Sequence, residues 1–264
     1  MDSMSSRTTD RGSTPFRNLL PFRDRLRYVA WTLRGRRHKF QCRLHNGPRL
    51  WIRPFSSDWE TAYEVFRLRT YETGIGADAV RRVVDLGGNV GYSCLFWCAM
   101  YPNAQVLTYE PHPVHSELLQ RHMEANGYSR RVRLIPAGAA ATASTAALSD
   151  NGNRSALVAQ DLTNAGPVIE IAMVDFFETV GSEAIDILKI DIEGGEYDLL
   201  QDSRFDNVAE RCGCIVMEWH KRAPNHLGGR WSQERLRALG FAVRDMPDPS
   251  PMQDIGTILA FRNP

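Results

Sequence analysis

Asp85 to Ser93 reads DLGGNVGYS, an acid closing an apolar run and then glycines at 87, 88 and 91. Gly87 and Gly91 allow a sharp turn and a close approach to the backbone, and a helix after such a turn offers free N–H groups to a ligand. A dinucleotide fingerprint would read GxGxxG, whereas Gly87 to Gly91 reads GxNxG with Asp85 just ahead of it. An acid at that place repels a pyrophosphate and suits an ammonium group. Glu110 follows 19 residues after Gly91, at the end of the next apolar run. A carboxylate there can accept both hydroxyls of an adenosine ribose.

Asp186 to Leu200 reads DILKIDIEGGEYDLL. Lys189, Asp191 and Glu193 alternate through the end of a strand-like run, and burying Lys189 and Asp191 there needs a reason. Glu193 and Glu196 have a structural one, since acids suit the start of the helix that follows. Met217-Glu218-Trp219-His220 ends another apolar run in an acid and an imidazole. His220 is a candidate general base, with Glu218 to orient it or to bind a hydroxyl.

These four places must be held by alternating strands and helices. Strands are expected at 83–86, 106–109, 132–136, 185–190, 214–219, 241–244 and 256–261, and helices at 92–100, 114–126 and 232–239. The segment VDFFETV (174–180) reads as helix-like, and residues 138–168 as weakly structured, holding a short strand pair or an excursion over the site. Such alternation implies a largely parallel sheet that binds ligands beyond the carboxyl ends of its strands. Ahead of it the pattern predicts a helix over 19–37, a hairpin about Asn46-Gly47, and a helix from Asp58 to Tyr71 capped by Ser57 or Asp58. Three segments result: a disordered basic tail (1–18), a helix, hairpin and helix cap (19–74), and the main domain (75–264).

The chain has 264 residues, 43% hydrophobic and 24% charged, enough to bury a core. Its net charge of +1 hides an asymmetry: residues 1–53 hold 13 basic and 3 acidic side chains, so they carry +10 and the remainder −9. Such an arm could touch nucleic acid, an anionic membrane or the protein's own acidic body. The five cysteines lack CxxC spacing and are expected to be buried small hydrophobes. With a polar start and no long apolar stretch, neither a signal peptide nor a membrane span is expected, which points to the cytoplasm.

Together DLGGNVGYS, YEPHP (109–113), KIDIEGGE (189–196), MEWH (217–220) and LGF (239–241) resemble the FkbM-type S-adenosylmethionine-dependent methyltransferases, over roughly Leu50 to Pro264. The resemblance implies a class I methyltransferase fold: a Rossmann-like α/β domain with a seven-stranded, mostly parallel sheet, its last strand antiparallel and helices on both faces. The N-terminal helix and hairpin would be an extension, and the arm before residue 40 has no counterpart. By position, Asp85, Gly87, Asn89 and Gly91, with Ser93, would wrap the methionine end of the cofactor. Glu110, beside Pro111, would take the ribose hydroxyls, and the turn at Ala137 and Gly138 would lie near adenine. Asp191 would sit beside the sulfonium and the acceptor. Tyr71 matches a recurring family tyrosine and is expected either to close the site or to pack at a helix end.

The implied reaction is methylation of a hydroxyl on a small natural product or sugar. His220 is the expected base, with Asp191 as the other candidate. A divalent cation on Asp191, Glu218 and His220 is a less favoured alternative. Rival readings are methylation of nitrogen or carbon on a flat acceptor lined by Trp59, Tyr63, Trp219 and Trp231, and a nucleic-acid enzyme using the basic arm. Against the latter, the chain lacks a (D/N)PP(Y/F) motif and its body is acidic. A homodimer could form by pairing of the hairpin edge at 39–55.

Overall fold

The computed structural model describes residues 19–149, 168–221, 228–246 and 254–262, so the tail expected over 1–18 and most of the excursion after 149 lie outside the described residues. The chain divides into two units, Met1–Arg69 and Thr70–Pro264, which assigns Thr70 to Gly74, and with them Tyr71, to the larger unit.

In the first unit, helix α1 (Phe22–Leu33) starts after Pro21 and stops ahead of Gly35, whose φ of +81° ends the helix short of the expected Arg37. The hairpin forms as predicted: β1 (Phe40–Arg43) runs antiparallel to β2 (Arg49–Ile52), with Phe40 opposite Ile52 and Cys42 opposite Leu50. Asn46 takes the left-handed conformation at the turn. Trp59 packs edge-on against Tyr28 at 5.2 Å within an aromatic cluster that includes Trp31 and Phe40, so it builds this unit's core. The single helix expected from Asp58 to Tyr71 is instead α2 (Asp58–Tyr63) and a π-helical turn (Glu64–Leu68), ended by Arg69 at φ +57°. Ser57 holds the expected N-cap position but makes no side-chain cap bond, and Asp58 instead accepts from Arg53 N and Nη2, each at 2.7 Å.

The second unit alternates as the apolar runs require: β3 (Arg82–Leu86), α3 (Tyr92–Met100), β4 (Gln105–Tyr109), α4 (Pro113–Asn126), β5 (Val132–Ile135), β6 (Gly138–Ala140), β7 (Ser144–Ser149), β8 (Val168–Asp175), α5 (Phe176–Thr179), β9 (Ile185–Ile190), α6 (Glu196–Gln201), α7 (Arg204–Glu210), β10 (Cys212–His220), α8 (Gly229–Ala238), β11 (Phe241–Asp245) and β12 (Ile255–Arg262). Seven of the strands form one sheet in the order β5-β4-β3-β9-β10-β12-β11. β12 runs antiparallel to both its neighbours, and the pairs on the β5 side of β10 are parallel. This is the seven-stranded, mostly parallel sheet that the resemblance implies. Val83, Val84, Ile187, Leu188 and Ile215 are fully buried in its middle, each worth about 1.5–3 kcal/mol against exposure. All five cysteines are buried and free, as expected.

A second sheet of order β6-β8-β7 takes up the described residues of the segment read as weakly structured and runs on to Asp175. Here VDFFETV is corrected: Val174 and Asp175 end strand β8, and only Phe176–Thr179 are helical. Asp175 makes the switch by accepting from Phe177 N at 2.9 Å and Glu178 N at 3.3 Å.

Candidate functional site

The order β4-β3-β9-β10 places the chain's direction change between β3 and β9, where parallel sheets open a crevice at their carboxyl edge. Register aligns that edge: Leu86 pairs with Tyr109 and Ile190, and Ile190 with Met217. The residues that follow, Gly87, Glu110, Asp191 and Glu218, therefore stand in one row. β10 runs on past β9 as Glu218, Trp219 and His220, paired only with β12. The two-residue period puts Glu218 and His220 on one side and Trp219 on the other.

Lys189 is the hub beneath this row. It lies opposite Asp85 in the parallel register, and its ammonium reaches Asp85 Oδ1 at 3.1 Å and Asp191 Oδ2 at 3.3 Å. It also donates to Gly87 O at 2.9 Å and Leu86 O at 3.2 Å. Burial opposes the charge on Lys189, but Asp85 and Asp191 outweigh it and hold its pKa well above the ordinary value. Ser93 donates to the second oxygen of Asp85 at 2.6 Å. Asp85 and Ser93, expected to wrap the methionine end of the cofactor, are both buried, and the ammonium facing Asp85 in this structure is that of Lys189. Tyr71 Oη donates to Asp191 Oδ2 at 3.3 Å, and its ring lies 5.3 Å from the Lys189 ammonium, so Tyr71 joins the cluster.

The glycines answer to neighbours within the chain. A Cβ on Gly87, at φ +86°, would stand 1.9 Å from Asp191 O, and one on Gly91, at φ +91°, 2.8 Å from Leu119 Cγ. Sharp turning is required as predicted, but at these two positions the close approach is made by β9's end and by α4, not reserved for a ligand. Asn89 bridges to the next strand: its N–H donates to Glu110 Oε2 at 2.8 Å, and its side chain accepts from Val90 N. Glu110 Oε1 accepts from His112 N at 2.9 Å and lies 3.5 Å from His115 Nδ1, so the carboxylate is fixed in place with a lone pair left on Oε2. Ile135 O accepts from both Glu110 N and Ala137 N, tying Ala137 and Gly138 to the same edge. Gly138 opens strand β6, not a turn, and a Cβ there would lie 3.7 Å from Pro111 and 2.5 Å from Met173 Sδ.

His220 sits in a ring of acids. Its Nδ1 is 3.0 Å from Glu196 Oε1, and its Nε2 is 3.3 Å from Glu218 Oε1 and 3.4 Å from Glu193 Oε2. Burial disfavours the imidazolium, yet the hydrogen bonds it donates to Glu196 and Glu218 and the charges of Glu196 and Asp191 push its pKa up to about 11. A general base must be neutral, and these surroundings favour the charged imidazole, so the geometry suits His220 to an orienting role. Burial, then repulsion from Asp191, raises the Glu218 carboxyl instead. Loss of hydration in the cleft, then crowding by Asp191, Glu218 and Glu196, brings Glu193 to about 7 against the pull of His220. Asp191, Glu218 and His220 each offer a ligand atom within 4.8 Å of the others, a set that can hold a divalent cation.

Trp219 and Trp231 pack against the main core, with Trp231 5.5 Å from Tyr197, and Trp59 packs in the aromatic cluster of the first unit. The positioning roles of Lys189, Glu193 and Glu196 were not assigned from sequence. The signal was present in KIDIEGGE, where a lysine inside an apolar strand has to meet a buried acid.

A family model described as the methyltransferase FkbM domain matches residues 85–243, from the acid of the glycine loop to β11. The chain belongs to the FkbM methyltransferase family. The chain is 28% identical over 196 residues to Methyltransferase 1 of Beauveria bassiana (strain ARSEF 2860), a match covering 64% of this chain and 76% of that protein. Methyltransferase sdnD of Sordaria araneosa is 26% identical over 152 residues, 45% of this chain; the match spans 59% of that relative's length. Among solved structures, precorrin-6y C5,15-methyltransferase from Geobacter metallireducens GS-15 is similar at 14% identity and a TM-score of 0.45, over 76% of this chain and 89% of that one.

Proposed function

We propose that this protein transfers a methyl group from S-adenosylmethionine to a hydroxyl of a small natural product or sugar. The observation that carries the reading is the row of acids along one crevice edge, with Glu110 held by the glycine loop at one end and Asp191, Glu218 and His220 at the other. S-adenosylmethionine supplies an activated methyl on a sulfonium. The donor set fits such a group: Glu110 retains acceptor capacity for ribose hydroxyls, the N-terminus of α3 follows the loop, and the carboxylates near Asp191 favour cationic sulfonium and ammonium groups.

The chain's own residues then have to align the acceptor, exclude water and take the hydroxyl proton. Glu218 is the proton acceptor in this reading. Its raised pKa makes it a stronger base than an ordinary carboxylate, and its side chain is 29% exposed, so an acceptor can reach it. His220, protonated and held by Glu196, orients Glu218. A hydroxyl, whose oxygen must shed its proton as the C–O bond forms, is an acceptor that this base serves. The test is to incubate the protein with methyl-labelled S-adenosylmethionine and a panel of hydroxylated small molecules. Label recovered as a methyl ether supports the reading, and label found only on amines or ring carbons refutes it.

The three donor atoms within 4.8 Å support a second reading, in which a divalent cation on Asp191, Glu218 and His220 lowers the acceptor's pKa. It predicts that chelator abolishes turnover and Mg²⁺ or Mn²⁺ restores it. Activity that persists in chelator leaves Glu218 as the base.

A further inference from the structure

Helix α1 has two sides that carry large apolar residues, and among the described residues of its unit only one of them is packed. Trp31 is buried and its indole donates to His38 O at 2.7 Å; Asp24 is buried and accepts from Arg43 N at 3.0 Å. Phe22, Leu26, Val29 and Leu33, spaced by four, three and four residues, form a stripe on the opposite side. They are 73, 57, 53 and 83% exposed. A continuous stripe of large exposed apolar side chains marks an interaction surface, where scattered ones would not.

The flanks of the stripe are basic. Arg23 and Arg27 in the helix and Arg34 and Arg37 just after it are exposed. The one acid of residues 19–39, Asp24, faces inward and is already paired with Arg27 at 2.7 Å. Arg36 lies over the ring of Phe55, itself 70% exposed, extending the same mixture of arginine and apolar side chain.

We propose that α1 is an in-plane anchor for an anionic lipid bilayer, with Phe22, Leu26, Val29 and Leu33 entering the acyl boundary and the flanking arginines on lipid phosphates. A helix with one apolar stripe bordered by cations is built for that boundary, and guanidinium groups match phosphate geometry. Other occupants satisfy only half of the surface. A nucleic acid would engage the arginines and leave the stripe in water, while a second copy of this chain would bury the stripe but bring like charges together. The inference does not depend on the methyl-transfer reading.

The test is co-sedimentation of the full chain with phosphatidylcholine vesicles, with and without about 30% phosphatidylglycerol, at low and high salt. The expected result is binding to the anionic vesicles at least about tenfold above the neutral ones, weakened by salt. The triple variant Phe22→Ser, Leu26→Ser, Leu33→Ser should lose it. These positions are exposed, so an unchanged circular-dichroism spectrum and thermal midpoint would certify the fold. A second variant, Arg23→Gln with Arg34→Gln and Arg37→Gln, leaves the stripe intact and should weaken anionic binding alone. The proposal is overturned by absence of vesicle binding, by full binding of the serine variant, or by a stripe-dependent dimer in sedimentation velocity without vesicle binding. Preferential capture of RNA over anionic vesicles would equally overturn it.

Discussion

His220 illustrates how far a side chain's chemistry depends on its neighbours. Its type and strand-end place suggest a base, but Glu196 lies 24 residues away in the chain and 3.0 Å away in space. That distance cannot be read from the sequence, and it reverses the charge state. The imidazole should therefore stay protonated through pH 9 in metal-free protein, which the chemical shift of its ring protons reports; a midpoint near 6.5 would refute the acid ring. The sign for stability follows: a pKa raised from 6.5 to about 11 by folding contributes stability that is fully present below pH 6.5 and is lost as pH rises through about 11. His220→Gln should flatten that part of the stability curve. Once an acceptor is in hand, Glu218→Gln should lower kcat by about 10²–10⁴ while leaving S-adenosylmethionine affinity in place. A variant turning over normally would remove Glu218 as the base.

At the scale of elements, the seven strands of the main sheet were legible because each is a short apolar run, and β9 was read at its observed bounds. The switch from β8 to α5 was not, because Phe176 and Phe177 suit either state and the deciding bonds come from Asp175. Glu110 and the glycine loop were legible as neighbours. That Gly87 makes room for Asp191 O was not, since it depends on how closely β3 and β9 run at their ends. Gly87→Ala combines a strained φ with a contact of 1.9 Å and should prevent the loop from forming. Lys189 joins both strands through a buried pair, and removing one partner of such a pair costs about 3–5 kcal/mol. Lys189→Ala should show that loss in denaturant melts. A loss below about 1 kcal/mol would mean that the pair does not organise the crevice.

For the whole molecule, two units and opposite charges govern behaviour. Residues 1–53 carry +10 and the rest −9, so the acidic body should attract a cationic cofactor and lose affinity as salt rises. S-adenosylmethionine at about 100 times its Kd should stabilise the folded state by about 2.7 kcal/mol. If heating resolves two transitions, only that of Thr70–Pro264 should move, because every residue assigned to the cofactor belongs to that unit. A shift confined to the other transition would contradict the assignment. The measurement that tests the central claim most directly is calorimetric titration of S-adenosylmethionine into the wild-type protein and into Glu110→Ala, each verified as folded. The account predicts micromolar binding by the wild type and a loss of about 100-fold or more in the variant. No binding by the folded wild type, or equal binding by both, would contradict it.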